Sequence, residues 1–448
     1  MLSKSFLDKN FTALYLLGLI VGLGFAFVYA DNQILLGDQM QMIEKGYLGA
    51  YADVWLNFGN GASAVGNVPG SLSTWLVAGP LLVWDSPWAP VLLLFAMRIA
   101  SLFLLDSVLK QIFDKPMRLA FLALYWLNPW LLYDSLLYNP SYLCFFASLH
   151  LWSAFKMREG KSFIYTFLHI LSIGLAMQLH YSWPVLAVLS LYMFYREMGK
   201  VSWVGFTAAL VVLMVSLIPY SQEYLANDEL SRDDSDRYIG YGLVHVYPVL
   251  KALLYWVRYA SLLFSNKVIA YSEFHWFTSI EFLRIAALYL WKGIIFLIGG
   301  LSVVLSAKVS WDWWKSIKND IKRVPNTPVV KDKAQWLKLY AFGAVIGVLV
   351  SAALSPITFS YWHLILIYPF ALIPMIFAIQ RYSESHGHLV AKIAPVVVGY
   401  LLVINVLASH DSIKYSYTVS FSDQVNQYLL ETPKKYKLDQ RDAFKGLL

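Results

Sequence analysis

Runs of about twenty apolar residues, the length that carries a helix across a bilayer, recur along this chain from residue 11 to residue 409 with only short polar joints between them. Nothing else in the sequence restricts the fold as much. The runs are continuously apolar rather than alternating, so helices and not a barrel are expected. Composition agrees, since 58% of the 448 residues are hydrophobic and 14% charged, against about 25% charged in a soluble domain. The expected fold is an all-α polytopic membrane protein with about eleven transmembrane helices, in a range of roughly ten to thirteen. They are placed at 11–30, 87–107, 118–133, 140–156, 163–180, 183–196, 201–220, 285–307, 339–355, 361–380 and 391–409. Phe11 to Ala30 lacks a small-residue cleavage site and reads as a retained span.

Charge sets the expected orientation. With the N-terminus inside, the inside joints carry twenty Lys and Arg, among them Lys110, Arg118, Arg158 and Arg196, whereas the short outside joints carry only Lys45. The positive-inside rule then places loops 31–86 and 221–284 and the tail after Ser409 on the non-cytoplasmic side. Residues 1–410 form the expected membrane domain, and 411–448 a non-cytoplasmic appendage. Tyr241 to Phe264 is long enough to span but holds Pro248, Lys251 and Arg258, so it is laid at the outer interface. Segment 72–84, with Gly79-Pro80, reads as a short re-entrant or interfacial helix. Trp311, Trp313 and Trp314 among Lys308, Lys315 and Lys318 read as an inner-leaflet anchor. The net charge of +7 is a topology signal rather than a nucleic-acid footprint. The single cysteine, Cys144, permits no internal disulfide and no thiolate cluster.

The residues that carry chemistry gather on the expected outer side. Asp38 follows the first apolar run by about eight residues, which places its carboxylate at the edge of hydrocarbon, where proton affinity rises and general-base work becomes feasible. The alternative is that Asp38 caps a helix beginning at Gln39. In the second large loop, Arg232, Arg237, Lys251, Arg258 and Lys267 are candidates to hold a phosphate, and Lys251, Tyr255 and Arg258 share one helical face. Ordinary headgroup snorkelling is the competing account of these cations. The acids Asp228, Glu229, Asp233, Asp234 and Asp236 have no calcium-loop spacing and read as a solvated loop. His180 and His363 fall at the outer ends of spans, in reach of a phosphate or a sugar hydroxyl, or bonded to a neighbouring helix. Arg98 and Lys292, inside or at the ends of spans, read as structural.

Five short motifs, Gly37-Asp38-Gln39, Pro69-Gly70 to Trp75, Leu127-Asn128-Pro129, Leu179-His180-Tyr181 and Tyr361-Trp362-His363 to Tyr368-Pro369-Phe370, lie in order along residues 11 to 380. In that order and on that side the chain resembles the GT-C superfamily of polytopic glycosyltransferases, especially the branch of protein O-mannosyltransferases and lipid A aminoarabinose transferases. The resemblance implies that Asp38 activates the acceptor and that the donor is a sugar on a polyprenyl phosphate. It implies a lipid, glycan or protein acceptor, no nucleic acid, and an active site on the periplasmic or extracellular face of a bacterial inner membrane. Glu44 and Asp134 are the accessory acids. The chain departs from the family at Gln39, where many members have a second acid, at Asn139, near which some carry an acid, and at Trp362-His363, where an Arg-Tyr is common. A divalent cation is left open as cofactor, with one carboxylate plus amides making a poor site for it. Two alternatives stand beside this reading. One is an O-antigen ligase or polymerase using His245 or His275; the other is a lipid or sugar transporter, for which no repeated halves are visible.

Overall fold

The structure is a computed structural model that describes residues 4–62, 66–226, 246–264, 274, 277–322, 332–355, 359–410 and 419–436. Among these the chain is almost wholly helical. Helices α1 (Lys4–Lys9), α2 (Phe11–Asn32) and α3 (Asp38–Tyr51) lead into an antiparallel hairpin, β1 (Phe58–Ala62) and β2 (Gly66–Pro69). Next come α4 (Leu72–Val83), α5 (Trp88–Leu109), α6 (Lys115–Trp126), α7 (Pro129–Tyr133), α8 (Leu143–Met157), α9 (Phe163–Met177), α10 (Pro184–Tyr195) and α11 (Trp203–Ala226). The chain continues with α12 (Val246–Tyr259), α13 (Glu281–Lys322), α14 (Lys333–Leu354), α15 (Tyr361–Leu364), α16 (Tyr368–His410) and α17 (Phe421–Tyr436). Among the described residues, six helices are long and apolar enough to cross a membrane: α2, α5, α11, α13, α14 and the run from Tyr361 to Ser409.

Helix starts follow local chemistry. Asp114 accepts from the Met117 amide at the head of α6, Asn128 from the Trp130 amide at α7, and Asp332 from the Ala334 amide at α14. Each satisfies an amide that the first helical turn leaves without a partner. Leu127-Asn128-Pro129 thereby breaks the run expected at 118–133 into α6 and α7. α16 is two helices folded across His386, whose φ of −136° and ψ of 40° are not helical. Tyr368 donates to the Leu124 and Tyr125 carbonyls at 2.7 and 2.8 Å, while Asn405 donates to the Leu127 carbonyl at 2.6 Å. In a straight helix residues 368 and 405 would lie about 55 Å apart, so the chain doubles back.

One end of the bundle is tied by its cations. Arg118 forks onto Asp106, Arg196 donates to the Asp320 and Ile321 carbonyls at 2.7 and 2.9 Å, and Trp336 donates to the Met198 carbonyl at 2.7 Å. From this basic end, α6, α8, α9 and α10 run only 12, 15, 15 and 12 residues, about 18–22 Å. Ser101 marks where α6 and α8 stop, because its hydroxyl meets Tyr125 Oη at 2.8 Å and donates to the Cys144 carbonyl at 3.1 Å. Beyond Ser101, α5 climbs about 20 Å further to Trp88. α6 and α8 therefore end partway along α5, and the buried joint from Leu127 to Tyr142 packs beyond their ends and against α3.

Two segments expected at membrane surfaces pack against other helices. α12 buries one face and leaves Tyr247, Leu250 and Leu254 exposed on the other. It is inserted along α13 and α14, with Trp256 stacked on Trp313 at 6.1 Å, Ser306 Oγ donating to the Val257 carbonyl at 2.8 Å and the Leu262 amide donating to Ser302 Oγ at 2.9 Å. The cause is its buried face of Pro248, Ala252, Tyr255, Trp256 and Tyr259, which needs an apolar partner, while the two serines satisfy backbone groups at its end. α13 is one continuous helix through residue 322, so Trp313 of the expected anchor is buried against α12 and α14 rather than set at a surface, while Trp311 is exposed.

Candidate functional site

Gly37 is the N-cap of α3, at a φ of +41° that favours glycine. Asp38 is the first residue inside the helix rather than its cap, no side chain bonds across the cap, and the Asp38 side chain is exposed. Gln39, where the resembled family often has a second acid, is buried and accepts from the Leu36 amide at 3.3 Å, which tightens the turn into α3.

The backbone at Asp38 heads a chain of amides that ties α3 and the hairpin to the joints at Asn139 and Leu179. Asn60 Nδ2 donates to the Asp38 carbonyl at 2.8 Å and to Asn139 Oδ1 at 3.3 Å. Asn139 Nδ2 then donates to the Leu179 carbonyl at 2.7 Å. Gly70, at a φ of +90°, lets this loop close on the same joint, because a Cβ there would sit 2.6 Å from Gln178 Oε1. Tyr181 Oη donates to the Asn67 carbonyl at 2.9 Å. Four of the five sequence motifs thus meet at one place: Gly37-Asp38-Gln39, Pro69-Gly70, Leu179-His180-Tyr181 and, through His180, Tyr361-Trp362-His363.

His180 and His363 lie with ring centroids 5.4 Å apart. His180 Nδ1 accepts from the Ser182 amide at 3.1 Å and His363 Nδ1 from the Ser360 amide at 2.8 Å, closing the capping box that starts α15. Burial, and then the charge of His363, push the His180 imidazole down to about 3, so it is neutral at physiological pH. Lys251 on α12 lies within electrostatic reach of His363. One and two turns further along the same face come Tyr255, buried, and Arg258, whose guanidinium sits 5.2 Å from the Tyr255 ring and 5.4 Å from the Trp130 ring. Arg258 Nε donates to the Leu263 carbonyl at 3.3 Å. The arrangement offers a carboxylate at one end, neutral imidazoles in the middle and two cations at the other.

The accessory acids lie elsewhere. Glu44 is buried in α3 and accepts from Tyr428 Oη at 2.7 Å, so it fastens the C-terminal helix. Asp134 is buried in the joint after α7. Burial raises its carboxyl to about 7, opposed by the charge of Arg98, which itself donates to Ser135 Oγ at 2.5 Å and the Leu131 carbonyl at 2.7 Å. Arg98 serves a buried polar cluster, in keeping with a structural role. Arg237, with Arg232, Lys267, His245, His275 and the acidic cluster at 228–236, lies outside the described residues. Among the described residues no group of three or more His, Cys, Asp or Glu side chains is placed to hold a metal ion.

Three participants escaped sequence reasoning. Asn60 and Asn139 carry no periodic signal. Lys45, two turns after Asp38 on the same face of α3, is buried and donates to the Phe58 carbonyl at 3.4 Å. Burial pulls its ammonium down to about 7 against the opposing charges of Glu44 and Asp38. Its sequence signal was its being the only cation on the short outside joints. No family model, curated protein or solved structure matches the chain.

Proposed function

We propose that this protein is an integral membrane glycosyltransferase of GT-C type that moves a sugar from a polyprenyl-phosphate donor to an acceptor hydroxyl on the non-cytoplasmic face. Eleven passes, α2, α5, α6, α8, α9, α10, α11, α13, α14 and the two arms of α16, fit the basic end at the cytosol and the Asp38 segment on the opposite side. The observation that carries the reading is the seam running from the exposed Asp38 through Asn60, Asn139, His180 and His363 to Lys251. The exposed apolar side chains Tyr247, Leu250 and Leu254 stand beside Lys251 on α12 and suit a lipid tail next to a phosphate-binding cation.

The chemistry is a single displacement. The acceptor oxygen forms a bond to the anomeric carbon as the bond from that carbon to the phosphate oxygen breaks, which inverts the centre. The acceptor proton passes to the Asp38 carboxylate, and the electron pair leaves with the polyprenyl phosphate. Lys251 and Arg258 neutralise the departing charge, while neutral His180 is able to hydrogen-bond the sugar without adding a charge; both ring nitrogens of His363 are engaged, by the Ser360 amide and the Trp362 indole.

The test is Asp38→Asn in proteoliposomes supplied with polyprenyl-phosphate monosaccharides and a panel of hydroxyl acceptors. Loss of the base lowers turnover by roughly 10²–10⁴-fold, with thermal unfolding followed alongside to show that the variant is folded. Full turnover in the variant removes Asp38 from the mechanism, and substrate movement with no covalent product favours a transporter.

A further inference from the structure

The C-terminal helix α17 turns one face onto the segment that carries Asp38. Phe421, Val425 and Leu429 recur every four residues and are buried at 3%, 1% and 3% exposure, and the Phe421 ring meets Trp88 at 5.3 Å. The polar contacts of that face bracket Asp38 on both sides. The Phe421 amide donates to Asp31 Oδ1 at 3.3 Å at the end of α2, and Tyr428 Oη donates to Glu44 Oε2 at 2.7 Å inside α3. Between them, Gln424 reads the non-helical backbone that links the two helices. Its Nε2 donates to the Gln33 carbonyl at 2.9 Å and its Oε1 accepts from the Leu35 amide at 3.0 Å. One carboxamide thus supplies the donor and the acceptor that a neighbouring strand would have supplied.

We infer that α17 is a clasp that sets the position of Asp38, and that Gln424 and Tyr428 are positioning residues for the proposed transfer. Neither is placed to touch a substrate. Both act through the backbone of residues 33–37 and through α3, whose first residue is Asp38. The catalytic part of this inference rests on Asp38 being the base; the clasp itself does not.

The experiment uses the full-length protein with Gln424→Ala, Tyr428→Phe and the two combined. Amide hydrogen exchange is followed over 33–44, with 143–157 in α8 as an internal control for folding, and kcat and KM are measured with the same polyprenyl-phosphate sugar. Gln424→Ala removes both hydrogen bonds to the 33–35 backbone, along with one to the Val419 carbonyl, and is expected to speed exchange over 33–44 about tenfold, leave 143–157 unchanged, and lower kcat about tenfold with little change in donor KM. Tyr428→Phe keeps the ring and gives a smaller effect of the same pattern. Unchanged exchange over 33–44 overturns the clasp. Faster exchange with full kcat overturns the positioning role. Faster exchange in a protein whose unmodified form transfers no sugar supports the clasp and defeats the transferase reading.

Discussion

The amide chain beneath Asp38 yields an ordered prediction. Asn139→Ala removes the donor to the Leu179 carbonyl at 2.7 Å and the acceptor for Asn60 at 3.3 Å. A buried carbonyl left without a partner costs about 1–3 kcal/mol, and a long neutral hydrogen bond adds about 0.5–1 kcal/mol, for about 1.5–4 kcal/mol in all. Asn60→Ala releases the Asp38 carbonyl and Asn139 Oδ1, but it also removes Asn60 Oδ1, a buried oxygen with no partner of its own. Deleting that oxygen offsets part of the loss, and the expected cost is about 1–2 kcal/mol. The double variant should fall short of additivity by about 0.5–1 kcal/mol, the worth of the shared bond. Cys144 provides the assay: it is the only cysteine and is buried, so a thiol-reactive dye reports thermal unfolding without added labels. An Asn60→Ala loss equal to or greater than that of Asn139→Ala, or strict additivity, would show that the seam does not bear on stability as its geometry requires.

Two further perturbations have definite signs. Lys45 has a folded-state affinity for protons lowered from 10.5 to about 7, so between those values the unfolded chain binds more protons. Stability should therefore rise with pH across that window by roughly 1 kcal/mol per unit, and it falls away as pH drops to about 7. Lys45→Met, close in volume, should flatten this slope in melts followed by tryptophan fluorescence; an unaltered slope assigns it to another group. Arg258→Leu removes a guanidinium held over Trp130 and Tyr255 and leaves the Leu263 carbonyl without its donor. The expected destabilisation is about 1–3 kcal/mol, with a lowered kcat, because the lost guanidinium neutralises charge that develops as the phosphate leaves. A raised KM at constant kcat would instead confine Arg258 to binding the donor.

The long helices were legible because a run of about twenty apolar residues has no alternative to spanning. Expected boundaries of 11–30, 87–107 and 201–220 correspond to Phe11–Asn32, Trp88–Leu109 and Trp203–Ala226. The joint expected between the apolar runs 361–380 and 391–409 coincides with the break in helical geometry at His386. The placement of α12 was not legible, since Lys251 and Arg258 on an aromatic helix fit a membrane surface as well as a groove. What decides it is Ser302 and Ser306 on a distant helix, offering partners to the Leu262 amide and the Val257 carbonyl. The level at which α6 and α8 end against α5 escaped sequence reasoning for a related reason. Helix lengths can be read locally, but their register cannot. Ser101 holds the ends of α6 and α8 midway along α5 through hydroxyl contacts to Tyr125 and Cys144, and nothing in the spacing of a serine within an apolar run announces them. The same holds for Asn60 and Asn139, whose amides look like loop residues until they meet. Asp38 could be singled out from sequence because its position relative to one span is local information. Whether a carboxylate so placed faces a working cleft depends on where four other short motifs end, and that depends on register.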